Sequence, residues 1–543
     1  MTLPSLTVRT FLEKAVTEVP DAPLLIWEDQ VVSYAEFDAH VNRAASMWAG
    51  LGVRRGDRVA FMVDNKPEFL YAWLGLAKLG ATLVAVNTGF KSAETSYLLE
   101  HSRAKLALVD PKHVDMFVDL QPKLAELEQV LVVGEDDRLT SYRSLVEDAS
   151  PVAPDVRVEP EDVISFIYTS GTTGRPKAVM QTHRSFVMTG QAYPVWMGME
   201  KGDRIYACLP LFHINSQAYS TMGAIGARGA IVLSPRFSAS GFWRDIRKHD
   251  VAVFNFIGAM TLILSKKEAA ADDKDHCVKV AYGVPALPGD LRDELETRYG
   301  MKVISGFGMS ETTFGLIEPL TGARKPGSMG HPRHHPDPAV PRTEARIVDG
   351  DGHDVPDGVV GELLLRNPAL MAGYFNDPER TAEALRDGWL FTGDMAWRDD
   401  EDFYFFVDRK KDIIRRRGEN VSSLEVENVL NDHPTVMECA VIGVPSELTD
   451  EELFVFVVPR PGSDVDCAEL ALWAGERLAD FKVPRFYQLV ETLPKTDTSK
   501  IEKHALRLVA EQPVERYDHD AARGRRTGGG ATLPLAAAAP PSD

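Results

Sequence analysis

Apolar positions along this chain switch between two rhythms, and the switching predicts its architecture. Between Tyr34 and Trp48, the residues Phe37, Val41, Ala44, Ala45 and Trp48 recur at helical spacing. The run Val59-Ala60-Phe61-Met62-Val63 that follows has the length and composition of a buried strand. A second helix then leads into Thr82-Leu83-Val84-Ala85-Val86. Such alternation predicts βαβ units around a largely parallel sheet covered on both faces. Apolar runs at Leu106–Val109, Val130–Val133, Ile205–Cys208 and Ala230–Leu233 continue the pattern, giving one large α/β region to about residue 330.

After Pro341 the texture changes to short strands broken by Gly, Asp and Pro, as in Glu344–Val348 and Gly361–Leu365, which predicts a small β-rich subdomain. A boundary is expected at 408/409. Beyond it the chain reads as an α+β unit: a helix from Ser422 with a capping box to Glu425, strands near 436–444 and 452–460, a helix near 467–480 and a last helix after Ile501. The expected organisation is thus a large domain over 1–408 and a small α+β domain over 409–517. The Arg-, Gly-, Ala- and Pro-rich segment 518–543 lacks the apolar residues that offset ordering entropy and is expected to be disordered.

Length and charge narrow the function. At 543 residues the chain exceeds what one hydrophobic core serves, so two or more domains are required. A formal net charge of −20 disfavours a nucleic-acid partner, whose phosphates call for clustered Lys and Arg. The opening residues Met1–Ser5 show no basic segment leading into an apolar run and small-residue cleavage site, and no stretch has the roughly 18 apolar residues of a membrane span. A cytoplasmic protein is expected. Cys208, Cys277, Cys439 and Cys467 are too scattered for a metal site and are expected to be reduced.

The strongest chemical signal follows the apolar strand Val163–Tyr168. There the segment Thr169-Ser170-Gly171-Thr172-Thr173-Gly174-Arg175-Pro176-Lys177 combines hydroxyls, glycines and cations. Glycines allow close backbone approach, hydroxyls and N–H groups donate to phosphoryl oxygens, and Lys177 adds charge, so the segment suits a polyphosphate. It is not a Walker loop, since no Gly-Lys-Ser/Thr stands at the required offset.

With Tyr168 in front, this segment resembles the signature loop of the adenylate-forming superfamily, which includes acyl-CoA synthetases, stand-alone adenylation domains and firefly-type luciferases. Further motifs similar to that family's appear in the same order, and the resemblance spans about residues 8–510. Gly283-Val284-Pro285 looks like the lining of the adenine pocket. Gly306-Phe307-Gly308-Met309-Ser310-Glu311 resembles the motif whose aromatic stacks on adenine, whose hydroxyl meets the α-phosphate and whose Glu holds magnesium; here Phe307 replaces the usual Tyr. Asp394 occupies the position of the ribose-binding Asp, Arg409 that of a nucleotide contact and Lys411 that of the interdomain hinge. Gly418-Glu419-Asn420 is similar to the loop lining the pantetheine tunnel, and Lys500 stands where the family carries its catalytic lysine.

The resemblance implies ATP, Mg2+ and coenzyme A as cosubstrates and cofactor, with Lys500, Glu311 and Lys177 as the catalytic set. It also implies a mobile C-terminal domain that exchanges the Lys500 loop for the Gly418 loop between half-reactions. The acyl pocket is expected to include His213, Ile214, Ile257 and Gly258, with His213 standing where amino-acid-activating relatives carry an Asp. Local similarity leans toward medium-chain, aryl and carnitine-type CoA ligases. The expected activity is acid plus ATP to acyl-AMP, then acyl transfer to coenzyme A. Ser499 and Ala178 stand where the family usually has Gly, which leaves open a ligase specialised for thioester formation from supplied acyl-adenylate. A carrier-protein acceptor in trans, a catalytically silent nucleotide-binding regulator and a homodimeric assembly also remain open. His331, His334 and His335 suggest a metal site only weakly, because proline interrupts them and no further ligand completes the set.

Overall fold

The computed structural model describes residues 6–169, 176–284, 286–409, 413–446, 451–494, 501, 503–512 and 516–522. It separates into two compact units, the first ending at Ile413 and the second beginning at Ile414. That division lies a few residues beyond the boundary expected at 408/409.

The N-terminal unit is built on two sheets. A 7-stranded sheet carries, in order, Thr140–Ser141, Gln129–Val132, Leu106–Val109, Arg58–Met62, Thr82–Ala85, Val163–Thr169 and Lys177–Thr182. All its pairs are parallel except the last. The period of two along each strand decides the layers. Val59, Phe61, Leu83, Leu106 and Leu108 point into the central core, whereas Ala60, Met62, Val84, Ala107 and Val109 join the outer core beneath the helices Ser92–Ser102 and Val114–Leu120. Both faces are apolar, which is why these strands read as unbroken apolar runs.

A 14-stranded sheet divides its residues the same way. Ile205, Ala207, Ile231 and Leu233 enter the central core, and Tyr206, Cys208, Ala230 and Val232 enter a second outer core. Helices Val8–Glu18, Tyr34–Gly50, Pro67–Lys78 and His183–Trp196 supply Phe11, Trp48, Trp73 and Tyr193 to the central core between the sheets. The expected β-rich region, including Glu344–Val348, Gly361–Arg366 and Trp389–Arg398, continues the same hydrogen-bonded sheet through antiparallel pairs starting at Lys302–Met309. The parallel order thus changes to antiparallel beside the segment Gly306–Glu311, and that change positions the site.

The C-terminal unit is a 4-stranded sheet of Val436–Pro445, Glu451–Pro459, Phe486–Leu489 and Tyr517–Asp518. Helices Ser423–Asn431 and Cys467–Arg477 cover one face, and Lys503–Ala510 covers the other. The helix expected from Ser422 starts one residue later. Glu425, expected in its capping box, accepts from the buried Lys482 at 2.7 Å. The sheet takes up Asp518, and His519–Ala522 form a short helix, so order extends past the start expected for the tail. The cause is a tertiary contact: Arg485 pairs with Asp518 at 3.0 Å, and the His519 N–H donates to the Arg485 carbonyl at 2.8 Å. The remaining tail, 523–543, lies outside the described residues. Among those described, no helix is long and apolar enough to cross a membrane, and the four cysteines are free.

Candidate active site

Two hairpins of the N-terminal unit bring the central residues together. Strands Val163–Thr169 and Lys177–Thr182 pair antiparallel with Thr169 opposite Lys177, so Lys177 stands where the chain returns from residues 170–176. The Thr169 hydroxyl is buried and has no partner among the described residues, and a phosphoryl oxygen would satisfy it. In the second hairpin, Lys302–Met309 returns as Thr312–Ile317 with Met309 opposite Thr312, leaving Ser310 and Glu311 as the connection.

Across these elements the Lys177 Nζ lies 3.0 Å from the Glu311 Oε1. The Tyr374 hydroxyl donates to the same Glu311 oxygen at 2.8 Å and accepts from Lys177, whose ammonium sits 3.9 Å from the centre of the Tyr374 ring. The chain holds the three groups in place through backbone bonds. Met371 donates to the Glu311 carbonyl at 2.8 Å, and Ala372 and Phe375 donate to the Met180 and Ala178 carbonyls at 2.9 and 3.0 Å. Glu311 is 4% exposed and Tyr374 5%. Burial works to raise the Glu311 carboxyl, but the Lys177 charge and the bonds from Tyr374 and Lys177 outweigh it and hold the group below the ordinary carboxylate range. Burial, reinforced by the Glu311 charge, pushes the Tyr374 phenol well above its usual range, so it remains a donor.

This arrangement keeps a buried carboxylate ionised. Magnesium binds hard oxygen ligands through one or two carboxylates together with substrate phosphates, and the ionised Glu311 fits as such a carboxylate. Lys177 would then be free to turn to phosphate.

The nucleotide residues proposed from sequence lie on neighbouring strands. Gly283 backs onto Phe256, where an added Cβ would stand 2.3 Å from the Phe256 carbonyl oxygen. At Gly306 an added Cβ would meet the Arg333 guanidinium at 2.6 Å and the Leu316 carbonyl at 2.7 Å. Only glycine fits either approach. Phe307 stands opposite Leu316 and is half-buried, and Val284, Gly308, Met309 and Ser310 are likewise partly exposed. Asp394 is 1% exposed, sits in strand Trp389–Arg398 and is in register with Arg409. Its N–H donates to the Thr392 hydroxyl at 3.1 Å.

At the expected acyl side, His213 and Ile214 lead into the π-helical segment Asn215–Thr221, with the His213 ring 4.6 Å from that of Phe212. Ile257 ends the strand Val251–Ile257, and Gly258 opens the helix Gly258–Ser265. In the C-terminal unit, Gly418 follows Arg417 at the tip of a hairpin between Ile413–Arg416 and Glu419–Ser422. Both tip residues have positive φ, 53° and 81°, the signature of a two-residue type I′ turn. Ser170, Gly171, Thr172, Thr173, Gly174, Pro285, Lys411 and Lys500 lie outside the described residues, as do the side chains of Arg409 and Asn420. His331 and His335 bond separately, to the Asp402 carbonyl and the Gln191 side chain, and no metal-ligand grouping among the described residues contains them.

The structure adds Tyr374, which sequence reasoning passed over. Its one local signal is an aromatic placed after Gly373, whose φ of 132° marks a turn that other residues rarely adopt. It also resolves Ala178, whose methyl group is fully buried in the outer core with Phe166, so the carbon added relative to the usual glycine is packed away.

Known proteins resemble this chain over most of its length. The family described as AMP-binding enzyme matches residues 12–375, and its C-terminal domain matches 425–500. A crotonobetaine/carnitine–CoA ligase of Salmonella arizonae is 33% identical over 492 residues, covering 88% of this chain and 94% of that protein. The corresponding ligase of Citrobacter koseri is 32% identical over 499 residues, covering 88% and 93%. Among solved structures, o-succinylbenzoate CoA synthetase from Bacillus subtilis superposes with a TM-score of 0.81 at 27% identity, covering 93% of this chain and 98% of that one. Anthranilate CoA ligase in complex with anthranoyl-AMP gives 0.71 at 27%, covering 94% and 98%. The chain belongs to the AMP-binding enzyme family and is an adenylate-forming acid–thiol ligase of the acyl-CoA synthetase type.

Proposed function

We propose that the chain activates a carboxylic acid, other than an α-amino acid, with ATP and transfers the acyl group to the thiol of coenzyme A. The Lys177–Glu311–Tyr374 cluster carries this reading, because it keeps a buried carboxylate ionised beside a cation at the base of the phosphate segment. In the first step a substrate carboxylate oxygen attacks the α-phosphorus and the bond to pyrophosphate breaks. In the second the thiolate attacks the acyl carbonyl and the bond to AMP breaks.

Each residue has a proposed part. Lys177 and Lys500 offset negative charge on the transferring and leaving oxygens. Glu311 would hold magnesium, which screens the phosphate charge when bound. Asp394 accepts from the ribose hydroxyls, Arg409 contacts the nucleotide, and Phe307 lies against the adenine, with Gly283, Val284, Pro285, Gly306 and Gly308 shaping that pocket. Thr169 to Gly174 and Ser310 donate to phosphate. His213, Ile214, Ile257 and Gly258 line the acyl pocket, and Gly418, Glu419 and Asn420 pass the pantetheine arm. Rotation about Lys411 exchanges the Lys500 and Gly418 loops. The cytoplasmic location expected from the sequence belongs to this reading.

The test is acid-dependent exchange of labelled pyrophosphate into ATP over a panel of aliphatic and aromatic acids, with magnesium and without coenzyme A. Exchange with at least one acid, followed by acyl-CoA formation when coenzyme A is added, is expected. Acyl-CoA formation from supplied acyl-adenylates, with no exchange for any acid, would replace this reading with that of a ligase kept only for the second step.

A further inference from the structure

Among the described residues three arginines are almost fully buried, and one of them differs from the other two. Arg416 pairs with Glu452 at 2.6 Å, and Arg292 pairs with Glu318 at 3.0 Å. Arg333 is 1% exposed, yet no carboxylate among the described residues lies within ion-pair reach of it. Its donors meet neutral oxygens: Nε the Leu316 carbonyl at 2.9 Å, Nη1 the Tyr219 hydroxyl at 2.8 Å and the Thr313 carbonyl at 3.4 Å, and Nη2 the Tyr282 hydroxyl. Around it stand the rings of Trp196, Tyr219 and Tyr282, centred 5.4, 5.4 and 4.9 Å from the guanidinium carbon.

Hydrogen bonds and ring faces solvate this cation, but they do not cancel its charge. Buried charges are normally paired, because loss of water is otherwise costly. Here the charge sits directly behind the active-site strand, against Gly306. Tyr219, one of its hydroxyl partners, also lies behind Gly308 and belongs to the π-helical segment that follows His213 and Ile214. Tyr282, the other, precedes Gly283. The uncompensated charge therefore acts on the space between the nucleotide strand and the proposed acyl-pocket segment.

We infer that Arg333 is a specificity-determining residue: it selects acids whose acyl group carries no positive charge and favours those bearing a second carboxylate. The inference rests on the adenylation reading above. A unit charge roughly 8 Å away in a medium of dielectric constant about 20 changes binding by about thirtyfold. The field requires no direct contact between Arg333 and the acid.

The test compares 4-(trimethylammonio)butanoate with 5,5-dimethylhexanoate, which matches it in shape and differs in one charge, and with glutarate, using pyrophosphate exchange. For the wild-type enzyme, kcat/KM for the cationic acid should fall at least tenfold below that for its neutral isostere, mainly through KM of the acid, and glutarate should exceed the cationic acid. Arg333→Met should bring the isostere ratio to within about threefold, and Arg333→Lys should restore the wild-type order. A wild-type enzyme that accepts the cationic acid as well as its isostere would overturn the inference even if Arg333→Met fails to fold. An unchanged ratio in a folded Arg333→Met enzyme would do the same. Exchange with none of a broader acid panel would instead strike the adenylation reading on which the inference rests.

Discussion

Replacing Tyr374 with Phe removes one oxygen and leaves the ring stacked under the Lys177 ammonium, so it isolates a single pair of hydrogen bonds. A bond to a buried charged group contributes about 1.5–3 kcal/mol. Because Lys177 remains 3.0 Å from the same Glu311 oxygen, the lower end applies, and folding stability should fall by about 1.5 kcal/mol. Catalysis should respond as well. In the proposed first step Lys177 turns to the phosphate and leaves Tyr374 on Glu311, so losing about 1.5 kcal/mol at that stage should lower kcat/KM for ATP about tenfold. Urea unfolding, followed by tryptophan fluorescence, should show a lower midpoint with an unchanged slope. Pyrophosphate exchange should show the loss in the ATP parameters, with KM for the acid unmoved. A Tyr374→Phe enzyme with wild-type stability and wild-type ATP kinetics would refute the assigned bonds and the division of roles drawn from them.

Other consequences follow from equally local features. His183 is fully buried, accepts from the Val8 N–H at 3.2 Å and is held by burial at a pKa of about 4 against an ordinary 6.5. Because the unfolded chain binds the proton between those values, stability is fully present above about pH 6.5 and declines by about 3 kcal/mol as pH falls toward 4. His183→Asn should flatten that part of the urea-midpoint profile, and an equal slope in both proteins would count against the assignment. Asp394→Asn should raise KM for ATP by about tenfold to a hundredfold, the loss expected for charge-assisted bonds to ribose hydroxyls, with little effect on KM for the acid; kinetics at saturating acid would read it. Lys500→Ala should suppress pyrophosphate exchange while sparing acyl-CoA formation from supplied acyl-adenylate. Equal loss of both rates would remove Lys500 from its place in the first step.

How far the sequence can be read depends on whether a feature is local. Strands such as Arg58–Met62 and Leu106–Val109 were legible because burial on both faces demands continuous apolar residues. Lys177 stands in a segment whose hydroxyls and glycines suit phosphate, whereas Glu311 was singled out only through the family resemblance of Gly306–Glu311. Tyr374 was not, because it meets Lys177 across 197 residues and Glu311 across 63. No periodicity reports such a convergence. Arg333 was hidden for another reason: it stands among histidines whose spacing suggests a metal, and its lack of a carboxylate partner among the described residues is visible only in three dimensions. The C-terminal boundary moved because the Arg485–Asp518 pair extends the sheet into a segment whose composition suggests disorder.

Oxygen followed from the acid separates attack at the α-phosphorus from attack at the γ-phosphorus. With both carboxylate oxygens of an accepted acid labelled with 18O, attack on the α-phosphorus and later release of AMP transfer one label to the AMP phosphoryl group. One 18O per AMP and none in pyrophosphate is expected. Label appearing in inorganic phosphate together with ADP would show attack at the γ-phosphorus and an acyl phosphate, and would contradict it.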